Sequence, residues 1–115
     1  MAKQKMTPGV LPDYVMDYIL QNLQRITYGE VILVAQDGVL VQLEWSEKLR
    51  LDHWGDTLTC HSWGERERRC IVRRVVMEFA HLQFGRLVIV VKGGRVIQIE
   101  RTEKQRFIGL DGEGI

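Results

Sequence analysis

Residues 41–51 read VQLEWSEKLRL, and residues 97–107 read IQIERTEKQRF. Both follow one pattern: apolar, Gln, apolar, Glu, any residue, Ser or Thr, Glu-Lys, any residue, Arg. The likeness extends well beyond these stretches. Laying Tyr14–Asp52 over Cys70–Ile108 without a gap brings eight identities into line, among them Gly29 on Gly85, Val34 on Val90 and Gly38 on Gly94. The others are Gln42 on Gln98, Glu44 on Glu100, Glu47 on Glu103, Lys48 on Lys104 and Arg50 on Arg106. A chain that repeats itself at a fixed offset has one structural unit written twice, and the fold follows from that unit.

Each copy opens with apolar residues at helical spacing. Val15, Met16, Ile19, Leu20, Leu23 and Ile26 form one stripe, and Ile71, Val72, Val75, Val76, Phe79 and Leu82 form its counterpart. Asp13 after Pro12 is the expected N-cap of the first helix. Ser62 with Glu65 matches a capping box, so the second helix is expected to start earlier relative to its copy. Gly29 and Gly85 follow the helices where a left-handed C-terminal residue is often needed.

A hairpin follows each helix. EVILVAQ and VLVQLEW flank Asp37-Gly38, and RLVIVVK and RVIQIER flank Gly93-Gly94. Both dipeptides suit a two-residue turn in which both central residues have positive φ. Regular pairing from these turns sets Val34 against Val41, Ile32 against Leu43, Val90 against Ile97 and Val88 against Ile99, an apolar face beneath the helix. The opposite face then carries Val31, Leu33 and Ala35 beside Leu40, Gln42 and Glu44, with Leu87, Ile89 and Val91 beside Val96, Gln98 and Glu100. The first strand of each hairpin is apolar on both sides, which a sheet with one face in water does not require.

One helix–hairpin unit of about 40 residues is too small to bury an adequate core alone. The expected fold is therefore α+β: two α-β-β repeats about a pseudo-twofold. They would form either one four-stranded antiparallel sheet with helices on one face or two hairpins packed face to face. The expected division is a flexible tail over 1–12, repeats over 13–52 and 62–108, a connector over 53–61 and a second flexible tail over 109–115.

The second copy closely resembles the YezD-like family of short bacterial proteins of unknown function. Phe84, Gly85, Gly94, Gln98, Arg101, Thr102, Glu103, Lys104 and Arg106 carry that resemblance. The first copy departs from it, with Trp45 in place of the Arg and Ser46 in place of the Thr. Members of the family are single modules, so the resemblance implies a fused dimer of them; it implies no mechanism.

The bulk composition excludes little. The 115 residues are 45% hydrophobic and 27% charged with a formal net charge of +1, as in an ordinary globular protein without a global pull toward polyanions. Residues 1–55 hold five Lys/Arg against seven Asp/Glu, and residues 56–115 hold eleven against eight, so the second half is the more basic. Cys60 and Cys70 form no CxxC pair. The start of the chain has no apolar leader segment and LVIVV is too short to span a bilayer, so a cytoplasmic location is expected and no membrane partner.

Four sets of residues carry candidate chemistry. Lys48, Arg50, Lys104 and Arg106 would suit an anion clamp, or else serve as salt bridges that fix one repeat against the other. Leu33, Gln42, Glu44, Ile89, Gln98 and Glu100 are assigned to an interface on the second sheet face, where buried polar groups would pair across the contact. Arg66, Arg69 and Arg73 form a basic stripe on the second helix, suited to a nucleic-acid backbone, although Glu65–Arg69 is equally an i,i+4 pair on a solvated helix. His53, Cys60 and His61 lie near one another in sequence without a zinc-site spacing, so no metal and no cofactor is expected. Trp54 and Trp63 are expected to pin the connector, and His81 to lie at the surface. No nucleophile is paired with a base, so no catalytic set is evident. The expected function is non-enzymatic association with itself or another protein through a sheet face or edge. The alternative is anion or nucleic-acid binding through the Glu-Lys-x-Arg motifs and the arginine stripe.

Overall fold

The computed structural model describes residues 7–49 and 63–105. The elements run α1 (Asp13–Arg25), β1 (Tyr28–Gln36), β2 (Val39–Glu47), α2 (Glu65–Ala80), β3 (Gly85–Lys92) and β4 (Arg95–Glu103). The strands form a single antiparallel sheet in the order β2-β1-β3-β4. The two hairpins therefore share one sheet and do not pack face to face. β1 and β3 pair from Tyr28–Lys92 to Ala35–Gly85, and at the middle Ile32 lies opposite Val88. Those two residues are equivalent in the repeat, so the pseudo-twofold axis passes between them.

Both helices cover the same face. The core beneath them holds Val31, Leu33 and Ala35 of β1, Leu87, Ile89 and Val91 of β3, and the helical residues Ile19, Leu23, Val75 and Phe79, all with at most 1% exposure. On β1 and β3 this reverses the face expected from the hairpin turns. The turns themselves form as expected: Asp37 and Gly38 have φ of 53° and 76°, Gly93 and Gly94 have 61° and 79°. The register slips just beyond them. Ala35 pairs with Leu40 but Val34 pairs with Gln42, leaving Val41 as an extra residue. Val91 pairs with Val96 but Val90 pairs with Gln98, leaving Ile97 extra. A bulge of one residue flips everything beyond it to the other face. Ile32 therefore meets Glu44, not Leu43, and Val88 meets Glu100, not Ile99.

The helix ends also differ from expectation. Pro12 is the N-cap of α1 and Gly64 that of α2, and neither makes a side-chain cap hydrogen bond. Asp13 is the first helical residue, where its carboxylate favours the positive end of the dipole. Ser62 lies outside the described residues. α2 does start four residues earlier than α1 relative to the repeat and has 16 residues against 13. The stripe of α1 is buried throughout, whereas Val76, at the place of Leu20, is 41% exposed. Leu20 and Trp63 line the same depression. The counterpart of Trp63 in the repeat is Thr7, which is too small to cover Val76 in the same way.

Gly29 and Gly85 are not C-caps; Ile26 and His81 occupy those positions. Each glycine lies in a strand, where a Cβ would run into a backbone carbonyl of the edge strand, Ser46 O or Thr102 O. Residues 7–12, expected as part of a tail, lie against the fold. Gly9 N–H donates to Gly38 O at 2.7 Å, and Leu11 joins the core at 8% exposure.

The repeats are tied together reciprocally. Gly38 N–H donates to Gln83 O and Gly94 N–H donates to Thr27 O, both at 3.0 Å, so the turn of each hairpin holds the helix–strand loop of the other unit. Trp63 Nε1–H donates to Gly94 O at 3.1 Å, which pins the segment before α2 as expected; Trp54 lies outside the described residues. Replacing Gly29 or Gly85 with Ala is expected to cost about 2–3 kcal/mol, because the obstacle is backbone and not a flexible side chain. Urea unfolding midpoints of the two variants against the unaltered chain measure that cost.

Candidate functional site: the uncovered sheet face

Among the described residues nothing packs on the side of the sheet away from the helices. Along β1 and β3 that side carries Glu30, Ile32 and Val34, and Arg86, Val88 and Val90; the edge strands add Gln42, Glu44 and Ser46, and Gln98, Glu100 and Thr102. The bulges add Val41 and Ile97, which are 53% and 54% exposed. Extra residues of this kind point to the same side as their neighbours Gln42 and Gln98. Val41, Val34, Ile32, Val88, Val90 and Ile97 thus run diagonally across the sheet as one apolar stripe, symmetric about the axis between Ile32 and Val88. Ile32, Val34, Val88 and Val90 are only partly buried. Polar residues flank the stripe, and Gln42 Nε2 donates to Glu44 Oε2 at 2.6 Å.

The six residues assigned to an interface do not share this face. Gln42, Glu44, Gln98 and Glu100 lie on it, while Leu33 and Ile89 are fully buried under the helices. The bulges are the cause: the polar residues of the edge strands stay away from the helices and Leu43 and Ile99 stay beneath them, but the slipped register pairs those two with Leu33 and Ile89, which therefore lie on the helix side. Trp45 and Arg101 also turn toward the helices. Trp45 meets Tyr18 of α1 edge-on with ring centroids 6.4 Å apart, and Arg101 pairs with Glu78 of α2 at 3.2 Å.

The two Glu-Lys-x-Arg motifs do not converge. Lys48 N–H closes the β2 side at Tyr28 O and Lys104 N–H closes the β4 side at Phe84 O. Tyr28 and Phe84 stand at opposite ends of the central ladder, about 26 Å apart along the strands. Lys48 and Lys104 are therefore at diagonally opposed corners and form no common clamp. Arg50 and Arg106 lie outside the described residues. The glutamate of the second motif has a structural task instead. Glu103 Oε2 accepts from the backbone N–H groups of Gln83 at 3.0 Å and Phe84 at 3.1 Å, satisfying the loop between α2 and β3.

Arg66, Arg69 and Arg73 do come together. With Cys70 and Val72 they line a depression of about 650 Å³ on the outer side of α2. Their neighbours are paired: Arg68 with Asp17 at 3.8 Å and Arg74 with Glu78 at 3.6 Å. Among the described residues no carboxylate lies within ion-pair distance of Arg66, Arg69 or Arg73. The first copy carries Asp13 and Asp17 where the second carries Arg69 and Arg73, so the two helices have diverged in charge on matching positions. His81 is exposed, as expected, while His53, Cys60 and His61 lie outside the described residues. Among the described residues no helix is long and apolar enough to cross a membrane.

The fold thus defines a duplicated α-β-β protein, with two helices packed on one side of a shared four-stranded sheet. A family model described as Uncharacterized small protein (DUF2292) matches it twice, over residues 15–51 and 71–107. The matches cover more than half of the chain and stand at the same offset as the repeat; the chain belongs to this family. No curated protein and no solved structure matches it.

Sequence inspection missed which sheet face is bare, and it missed the reach of Glu103 to the loop amides. No alternation signals the first: Val41, Leu43 and Trp45, like Ile97 and Ile99, alternate with polar residues just as an unbulged strand would. Glu103→Ala removes the acceptor of two exposed N–H groups, which water can then solvate, and is expected to lower stability by about 1 kcal/mol. Glu103→Gln, which keeps an acceptor oxygen, should recover part of that loss in the same thermal melts.

Proposed function

We propose that this chain is a non-enzymatic association module that docks a protein surface on its bare sheet face. One observation carries the reading: the apolar diagonal from Val41 to Ile97 crosses all four strands on the side that no helix covers. Contiguous apolar surface rimmed by polar groups is the usual mark of an interaction site. The face is favoured over the edges. Each edge strand, β2 and β4, is bulged and bears charged residues, two devices that discourage strand addition.

A photo-crosslinking amino acid placed at Val41 tests the reading in cells that express the chain. Protein adducts of defined mass are expected from Val41 and none from Gln21, an exposed residue of α1. Absence of adducts from Val41, or equal labelling from both positions, rejects it.

A second reading rests on the depression on α2. Three guanidinium groups along one helical stripe, with no carboxylate partner among the described residues, suit a polyanion such as a nucleic-acid backbone. Retention of mixed nucleic acids in a mobility shift at low salt is then expected, and its loss when Arg66, Arg69 and Arg73 are replaced by Glu. No retention by the unaltered chain removes that reading.

A further inference from the structure

We infer that the surface docked on the bare face is a second copy of this chain, held in one orientation by Glu30 of each copy against Arg86 of the other. The inference rests on the association reading above and names its partner. A twofold contact between identical faces needs every group and its complement on the same surface. This face has both. Glu30 and Arg86 occupy equivalent positions in the repeat, on opposite sides of the central Ile32–Val88 pair, with Glu30 opposite Val90 and Arg86 opposite Val34. An in-plane twofold that carries Glu30 onto Arg86 also carries Arg86 onto Glu30, so a single operation forms two ion pairs.

The same pair selects the orientation. The apolar diagonal is symmetric about the pseudo-axis, so it fits a partner equally well after the partner turns through half a revolution. Glu30 and Arg86 break that symmetry. In one orientation unlike charges meet twice; in the other Glu30 faces Glu30 and Arg86 faces Arg86, a juxtaposition that partly desolvated charges do not tolerate.

Neither group is committed elsewhere. Among the described residues the ion pairs involve Arg68, Arg74 and Arg101 with Asp17 and Glu78, and neither Glu30 nor Arg86 takes part. Small hydroxyl residues flank them, Ser46 beside Glu30 and Thr102 across from Arg86, which leaves both charged ends open to a facing molecule. The size of the face agrees. Four strands of eight or nine residues present about 500 Å² of flat footprint. Two such faces approach the lower bound of about 1,200 Å² of accessible area for specific contacts, which suits a reversible dimer.

Sedimentation velocity of the purified chain over a wide concentration range tests this, with circular dichroism melts to confirm that each variant folds. A monomer–dimer equilibrium is expected, weakened about tenfold by Glu30→Arg alone or by Arg86→Glu alone. The double variant, with the charges exchanged, is expected to return to within about threefold of the original dimer constant. A folded double variant no better than the single ones overturns the pairing, as does a chain that stays monomeric at every concentration. A monomeric chain whose Val41 position still crosslinks a different protein in cells rejects the second copy and leaves the association reading standing. A dimer indifferent to Val34→Lys uses another surface and overturns the inference, while crosslinking from Val41 decides the association reading separately.

Discussion

The backbone ladder between β1 and β3 is the contact on which everything else stands. It joins the two copies, and it places two first strands, each apolar on both sides, at the centre of the sheet. Without it each helix–hairpin unit would cover its own β-strands on one side only and leave an open edge of unpaired N–H and C=O groups at β1 or β3. With it, Leu33, Ile89, Val31 and Leu87 meet at the axis under both helices, and a core too small in either half becomes continuous. The axis between Ile32 and Val88 then fixes the location of every paired feature: turns at opposite ends, motifs at opposite corners, bulges on opposite edges.

Much of this was legible in the chain. The repeat, the element order, the turns and the buried helical stripes are local or periodic properties, and those survive translation into space. What failed to read through was the face. The turn dipeptides set the first two pairs of each hairpin correctly, but the bulges at Val41 and Ile97 carry no residue that announces them, since both positions are occupied by ordinary β-formers. One unmarked extra residue per hairpin was enough to exchange inside for outside on the central strands, and to separate Leu33 and Ile89 from Gln42, Glu44, Gln98 and Glu100. The candidate clamp failed for a different reason. Matching motifs in a repeat are related by the pseudo-axis, and residues far from an axis end up far from each other. The arginine stripe was legible because a single helix carries it.

Duplication within one chain has allowed the halves to differ where a dimer of identical units could not. Asp13 and Asp17 oppose Arg69 and Arg73 on matching helical positions, Glu30 opposes Arg86 on the sheet, and Trp63 replaces Thr7 beside the helices. The backbone keeps its symmetry while the surface loses it. Such a molecule has a distinguishable left and right.

The crossed hydrogen bonds at the turns have a consequence for how the molecule comes apart. Because Gly38 grips the loop of the second unit and Gly94 that of the first, neither hairpin tip is free to fray before the joint between the halves has opened. Opening either half exposes the shared core of both, so thermal motion meets one barrier in place of two, and the chain melts as a whole.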